Sequence, residues 1–117
     1  MIERQHSTAR MSQLVSCGNL IWSAGQVAQD PSADISGQTQ QVLAQIDALL
    51  AAAGTDKSRL INATIWLADM DQFTRMNEVW DAWIEGVAAP ARACVEARLA
   101  RPELLVEIQV VAARAQD

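Results

Sequence analysis

The chain has 117 residues, half of them hydrophobic, and a formal net charge of −5 at pH 7. This length predicts a single domain, residues 1–117, with its own hydrophobic core, and the composition excludes a disordered chain. The acidic balance argues against nucleic-acid binding, because recognition of phosphates requires a basic surface.

The sequence contains neither a recognisable membrane span nor an export signal. The longest apolar run, "ALLAAA", is far shorter than the roughly 18 residues that a span requires, and "MIERQHSTAR" has no apolar signal core. Cys17 and Cys94 form no CxxC pair. We therefore expect a cytoplasmic protein without membrane contact, in which both cysteines are reduced.

The first half of the chain predicts a hairpin followed by a long helix. "SQLVSC" and "LIWSAG" flank the dipeptide "GN", which favours a tight turn between two antiparallel strands. From Ile35 onward, apolar residues recur at spacings of three and four over about 19 residues, as in an amphipathic helix. Asp34 or Ser36 provides an N-cap, and Gly54 provides the stop.

The second half predicts a strand, a helix and two further strands. "LINATIWLA" has the period of a strand, and Asp69 or Asp71 caps the helix that follows. "VAAPA" ends this helix, and the strands "PARACVEARL" and "LLVEIQVVA" close the chain. The side of the first strand expected to face the helices carries Ile61, Ala63, Ile65 and Leu67. The apolar stripe of the helix carries Phe73, Met76, Trp80 and Ile84.

The order ββ-α-β-α-ββ predicts an α+β fold in which both helices pack on one face of a sheet. The opposite face of the strand at 60–68 would carry Leu60, Asn62, Thr64 and Trp66, and the last strand is apolar on both sides apart from Glu107 and Gln109. A half-apolar, uncovered face usually meets another chain. We therefore predict a homo-oligomer.

The inventory of reactive side chains is short. His6 is the single histidine and lies in a segment expected to be loose, Lys57 is the single lysine and lies in a polar turn, and tyrosine is absent. No local cluster of ligands indicates a metal site, and no phosphate-binding glycine motif occurs. Any chemistry must therefore use arginine, carboxylates, a thiol, backbone groups and water.

Arg92 and Cys94 lie on one side of the strand "PARACVEARL". The alternation places them opposite Ala93, Val95 and Ala97, so we expect Arg92 to point away from the helices. One interpretation is an interface arginine paired with a carboxylate, and the other is an anchor for a ligand carboxylate. Cys94 is either a small core residue or a thiol whose ionisation Arg92 favours.

Glu107 and Asn77 are polar residues in apolar surroundings. Glu107 lies in the last strand, where it either pairs with an arginine or has a raised pKa suited to proton transfer. Asn77 falls in register with Phe73 and Trp80 on the second helix, where it either braces a loop backbone or contacts a ligand.

Five segments, in this order, resemble the RidA family of reactive-intermediate imine/enamine deaminases. They are "GNLIWSAGQV", "QTQQVLAQIDALLAAAG", "ATIWLADMDQFTRMNEVWDAW", "PARACVEARL" and "VEIQVVA". The resemblance implies a chorismate-mutase-like fold with a mixed sheet, and a homotrimer with three clefts between subunits. It also implies hydrolysis of 2-imino or enamino acids, such as 2-aminoacrylate, to 2-keto acids and ammonia, without metal or organic cofactor.

The resemblance also implies roles for five residues. Arg92 matches the arginine that binds the substrate carboxylate, and Glu107 matches the glutamate that assists the hydrolytic water. Cys94, Asn77 and Gly25 match residues that border the cleft. The implied partners are a small carboxylate substrate and further copies of the chain, with no nucleic acid and no membrane.

The sequence departs from the RidA pattern at three places. The position of a typical tyrosine falls near Met11, the serine of the SGQ motif is Ala24, and the segment before Glu107 is about one residue longer. An alternative function is therefore a non-catalytic, ligand-binding or chaperone-like trimer that keeps the carboxylate-binding cleft. Ribonuclease activity is a third hypothesis, and the acidic charge and the single histidine argue against it.

Overall fold

A computed structural model describes residues 1–115 and shows a mixed sheet with two helices packed on one face. The strands are β1 Ile2–Ser7, β2 Ser12–Cys17, β3 Leu20–Ser23, β4 Gln26–Val27, β5 Leu60–Leu67, β6 Ala91–Glu96 and β7 Val106–Ala113; the helices are α1 Ile35–Ala52 and α2 Phe73–Ile84. The sheet has the order β1-β2-β3-β7-β5-β6, and the short β4 also pairs with β7. The β5–β6 pair is parallel and the other pairs are antiparallel.

The predicted hairpin, helices and strands are all present, and two strands were not predicted. The N-terminal segment is not loose, because β1 pairs along β2 as an edge strand. Its sequence, "IERQHS", has almost no apolar signal, so backbone pairing rather than side-chain burial holds it in place. The two-residue strand β4 was missed for a similar reason, because it is too short to show a period.

Helix α1 begins and ends where its capping residues predict. The Asp34 carboxylate accepts a hydrogen bond from the backbone N–H of Gly37, at 2.9 Å. Gly54 follows the helix with φ at 78°, a conformation that glycine adopts without a steric penalty. The buried side of α1 carries Val42, Leu43, Ile46 and Leu50.

Strand β5 departs from the predicted alternation at its start. The ladder with β7 shifts register between Leu60 and Asn62, so Leu60 is buried and Ile61 is 44% exposed. The prediction that Ile61 faces the helices is therefore wrong, because one irregular residue inverts the alternation on one side of it. Ala63 and Ile65 face the helices as predicted, and so does Leu67.

Helix α2 is preceded by a 3₁₀ turn at Met70–Gln72, whose cap is Asp69. Met76 and Trp80 are buried, whereas Phe73 at the start of the helix stays 37% exposed. Lys57 is not a solvated turn residue, because its Nζ donates to the Trp83 carbonyl at 2.6 Å and lies 5.2 Å from the centre of the Trp83 ring. This contact satisfies a carbonyl group in the last turn of α2.

The two faces of the sheet differ in what covers them. The helix-covered face forms the core, with Ala63, Ile65, Leu67, Val106 and Ile108 fully buried. The open face carries the alternate residues, among them Trp22, Trp66, Val95, Glu107 and Gln109. Neither described helix combines the length and the apolar character that a membrane crossing requires.

Candidate functional site

Arg92 and Cys94 lie on the helix-covered side of the sheet. In the parallel ladder, Arg92 pairs with Ala63 and Cys94 pairs with Ile65, both of which are core residues. The prediction that Arg92 points away from the helices is therefore wrong, and Val95 faces the open side, 47% exposed. The alternation was misleading because β6 is an edge strand at the margin of the helix layer, where a long side chain packs against α2.

The Arg92 guanidinium rests on the aromatic rings of α2. Its central carbon lies 5.3 Å from the centre of the Trp80 ring and 5.9 Å from that of the Phe73 ring. Its Nη1 donates to the Asn77 Oδ1 at 2.7 Å. Within residues 1–115, no carboxylate lies within ion-pair distance of Arg92. The half-buried cation is thus held in place by rings and one amide, with N–H groups left for a ligand.

The side chain of Asn77 forms a hydrogen bond with Arg92 and not with a loop backbone. Its side-chain oxygen is the acceptor for the guanidinium, so the expectation that it braces a neighbouring loop is wrong. Phe73, Asn77 and Trp80 are spaced as residues on one face of a helix, so their proximity could be predicted from the sequence. What it did not reveal is that their common partner is Arg92, 15 residues away from Asn77 along the chain.

Cys94 packs at the edge of the core next to this cluster. Burial raises the pKa of its thiol above the ordinary value, and the charge of Arg92 opposes this effect only in part. Arg92 therefore favours the thiolate, as hypothesised, but burial has the larger effect, so the net shift of the pKa is upward. Cys94 is a half-buried thiol that forms part of the wall beside Arg92.

Glu107 lies on the open face beside Gly25. It is cross-strand neighbour to Trp66 on β5 and to Val27 on β4. A Cβ atom on residue 25 would overlap the Glu107 carboxylate, so only glycine allows this close approach. Burial raises the pKa of Glu107, and no arginine within residues 1–115 pairs with it. Of the two interpretations of Glu107, these surroundings agree with the raised pKa, and a role in proton transfer stays a prediction.

Each chain therefore carries two separate clusters. The Arg92 cluster consists of Arg92 with Phe73, Asn77, Trp80 and Cys94, on the helix-covered side. The Glu107 cluster consists of Glu107 with Gly25, Val27 and Trp66, on the open side. One protomer does not bring the guanidinium and the carboxylate to the same side of the sheet. In the part of the chain that the structure describes, no group of three or more histidine, cysteine, aspartate or glutamate side chains is placed to hold a metal ion.

Comparison with known proteins identifies the family. The model of the family described as endoribonuclease L-PSP matches residues 1–114. The chain belongs to the L-PSP family. A RutC family protein of Haemophilus ducreyi is 48% identical over 113 residues, which cover 97% of each chain.

Solved structures of related proteins have the same fold as this chain. A YjgF family protein of Neisseria meningitidis superposes with a TM-score of 0.96 at 44% identity, covering all of this chain and 98% of its own. A Rid family protein of unknown function from Yersinia pestis has a TM-score of 0.85 at 31% identity, covering 92% of this chain and 90% of its own. The resemblance to RidA is confirmed by these relationships.

Two positions where this L-PSP family member departs from the RidA pattern lie near the hairpin. Met11, at the position of the tyrosine, precedes β2 and is exposed. Ala24 donates its backbone N–H to the Gln13 carbonyl at 2.9 Å and leads directly into Gly25. The backbone beside Glu107 is therefore held without a serine hydroxyl at position 24.

Proposed function

We propose that the protein is a cytoplasmic homotrimer that hydrolyses reactive 2-imino and enamino acids to 2-keto acids and ammonia. The observation that carries this proposal is the environment of the Arg92 guanidinium. Its guanidinium is half-buried on aromatic rings, is fixed by one amide, and has no carboxylate partner within residues 1–115. A planar cation in these surroundings suits the carboxylate of a small substrate, which it would hold by two parallel hydrogen bonds.

The proposed site requires two subunits. Since the Arg92 and Glu107 clusters lie on opposite sides of the sheet, a cleft that uses both must combine the Arg92 cluster of one chain with the Glu107 cluster of a neighbour. The uncovered apolar residues of the open face, such as Trp22 and Trp66, supply the surface for this association. A trimer would then hold three equivalent clefts.

Hydrolysis needs orientation and the movement of one proton in each step. With the carboxylate held by Arg92, the C=N carbon is presented to a water molecule on the Glu107 side. In the first step the water oxygen bonds to the carbon, and the Glu107 carboxylate takes a proton from the water and passes it to the imine nitrogen, which gives a carbinolamine. In the second step Glu107 takes the hydroxyl proton as C=O forms and the C–N bond breaks, and it returns that proton to the departing nitrogen, which leaves as ammonia.

The surroundings of Glu107 suit this exchange. Burial raises the pKa of the carboxyl group, which makes its conjugate base a stronger proton acceptor than a solvated glutamate. Gly25 permits the carboxylate to lie against the backbone at the start of β4. We propose that Cys94 and Asn77 border the substrate on the Arg92 side and Gly25 on the other, with no cofactor in the reaction.

The test is a coupled assay in which an amino-acid oxidase generates the imine and semicarbazide traps it. A deaminase lowers the semicarbazone signal, and we expect wild type to lower it and Arg92→Ala not to. Arg98→Ala is the matched control, because Arg98 is an exposed arginine just after β6. Activity that survives Arg92→Ala, or is lost equally in Arg98→Ala, would contradict the proposal.

Non-catalytic binding is the second candidate, and the exposed Met11 at the tyrosine position together with Ala24 favours it. Under this alternative, the semicarbazone signal stays unchanged in wild type while 2-keto acids still bind through Arg92. The same protein samples give the oligomeric state by light scattering. A mass of three times 12.7 kDa is expected, and a stable monomer would exclude the two-subunit cleft.

A further inference from the structure

A third polar region borders the Glu107 cluster, with which it shares Gly25 and Val27, and lies against the C-terminal half of α1. It is a cavity of about 580 Å³ lined by four glutamines, Gln13, Gln26, Gln29 and Gln45, with His6 at its rim. We call it the glutamine cavity. Apart from the shared Gly25, the proposed hydrolysis and the Arg92 anchor use none of the residues that line it.

Hydrogen bonds fix three of these glutamines relative to one another. The Gln26 side-chain nitrogen donates to the Gln13 Oε1 at 2.7 Å and to the Ala24 carbonyl at 3.2 Å. The Gln45 nitrogen donates to the Gln26 Oε1 at 3.3 Å and to the Val27 carbonyl at 3.0 Å. Gln26 itself is buried. The amides therefore form a relay with defined orientations rather than a set of mobile surface side chains.

Both ends of this relay carry an unused hydrogen-bonding group. Within residues 1–115, the Gln13 side-chain nitrogen makes no hydrogen bond as donor, and the Gln45 Oε1 accepts none. The cavity thus offers a donor at one end and an acceptor at the other. A carboxamide or lactam is the complementary group, because it has one acceptor oxygen and an N–H donor in the same plane.

The rest of the lining selects for a neutral and partly apolar molecule. Among the described residues that line the cavity there is no lysine, arginine, aspartate or glutamate, so a charged ligand would meet no counterion in the lining. Ala48, Leu49 and Ala52 form one wall, which has no polar side chain. A flat apolar ring fits against such a wall. His6 is held at the rim with φ at 54°, in the left-handed region that few non-glycine residues adopt.

We propose that the glutamine cavity is a binding site for a small neutral molecule in which a planar carboxamide or lactam is joined to an apolar ring. This site adjoins the proposed deaminase cleft at Gly25 and Val27, but it would take its ligand through glutamine amides and so does not depend on that proposal. The amide edge would meet Gln13 and Gln45, and the ring would lie against Ala48 and Leu49.

The experiment is a titration of the full chain with benzamide, followed through the NMR signals of the glutamine side-chain NH₂ groups. Benzoate, which has the same shape with a negative charge, is the matched ligand control. Since a carboxylate is also expected at Arg92, binding is read from the signals of Gln26 and Gln45 and not from total heat. We expect saturable benzamide binding with Kd near or below about 1 mM, an affinity that fragments of this size reach, and at least a tenfold weaker effect of benzoate.

Two variants make the result specific. Ala48→Phe places a large ring in the cavity from an exposed position on α1, and should weaken benzamide binding at least tenfold without unfolding the protein. Ala44→Phe, one turn earlier and also exposed, lines a different groove and should leave binding unchanged. Absence of saturation up to about 10 mM benzamide, equal binding of benzoate, or unaltered binding by Ala48→Phe would each overturn the proposal.

Discussion

The helix-covered face of the sheet is apolar and buried, whereas the open face is only half apolar and remains partly exposed. On the helix-covered face, Ile65 and Ile108 have no exposed surface, whereas on the open face Trp22 is 36% and Val95 is 47% exposed. Successive residues of one strand therefore lie on faces that differ in burial. The covered face stabilises the protomer, and the open face retains apolar surface, which in the proposed trimer would contact another chain.

The same contrast applies to the two charged residues that the sequence singled out. Arg92 lies at the margin of the covered face, where aromatic rings and the Asn77 amide accommodate its positive charge. Glu107 lies within the open face, where burial raises the pKa of its carboxyl group. One cluster therefore holds a fixed cation, which we propose binds a ligand, and the other holds a carboxyl group, which we propose exchanges protons.

The largest expected effect is the loss of ligand binding in Arg92→Ala. Removal of a two-pronged, desolvated anchor for a carboxylate costs about 3–5 kcal/mol of binding free energy. Arg92→Lys should recover little of it, because an ammonium group cannot reproduce the planar fork. The measurement is calorimetric titration of pyruvate or 2-ketobutyrate into wild type and both variants.

A thermal melt and light scattering of the same samples separate the roles of Arg92. We expect the oligomer to persist, because the guanidinium contacts only α2 of its own chain among the described residues. If Arg92→Ala binds the keto acids as well as wild type, the anchor role is wrong. If it dissociates into monomers, Arg92 is an interface residue instead.

The next effect concerns stability and compares two isoleucines of β5. Ile65 is fully buried, so Ile65→Ala should lower the free energy of unfolding by about 2–5 kcal/mol through lost contacts and a cavity. Ile61 is 44% exposed on the same strand, and Ile61→Ala should cost about 0.5 kcal/mol or less. Urea unfolding at one fixed protein concentration gives both values. Equal losses would mean that another chain covers Ile61.

The positions of these residues show what the sequence could and could not predict. Helix α1 was predictable, because Asp34 and Gly54 bound an uninterrupted apolar period. The side of the sheet on which Ile61 lies was not predictable, because the irregularity in β5 arises from the pairing of β5 with β7.

The candidate site was predictable only in part. The residue types of Arg92 and Glu107 pointed to anchoring and proton transfer, but the side on which Arg92 lies depends on how β6 pairs with β5, which is about 30 residues earlier in the chain. An edge strand gives no reliable alternation, since it is covered by helices over only part of its length. The glutamine cavity was missed entirely, because its four amides come from separate elements and form no motif.

Glu107→Gln should affect rate rather than binding. The amide keeps the size of the side chain and removes the proton acceptor, so kcat is expected to fall by about two orders of magnitude with little change in KM. Because burial raises the pKa of Glu107, wild-type kcat should decrease as pH falls through a value above that of an ordinary glutamate. Steady-state kinetics between about pH 5 and pH 8 tests both points. A wild-type acidic limb that persists unchanged in Glu107→Gln would assign the titration to another group.

The smallest effect is expected from Gly25→Ala, which changes the Glu107 cluster by a single methyl group. The new Cβ would overlap the Glu107 carboxylate, and because that carboxylate is the free end of a flexible side chain, it can turn aside without unfolding the protein. We expect kcat to fall by about tenfold, since a displaced base is less well placed for the attacking water. If Gly25 acts only by positioning Glu107, the double variant Gly25→Ala/Glu107→Gln should be no slower than Glu107→Gln alone. Additive losses in this cycle would instead mean that the backbone at Gly25 contacts the substrate directly, independently of the carboxylate.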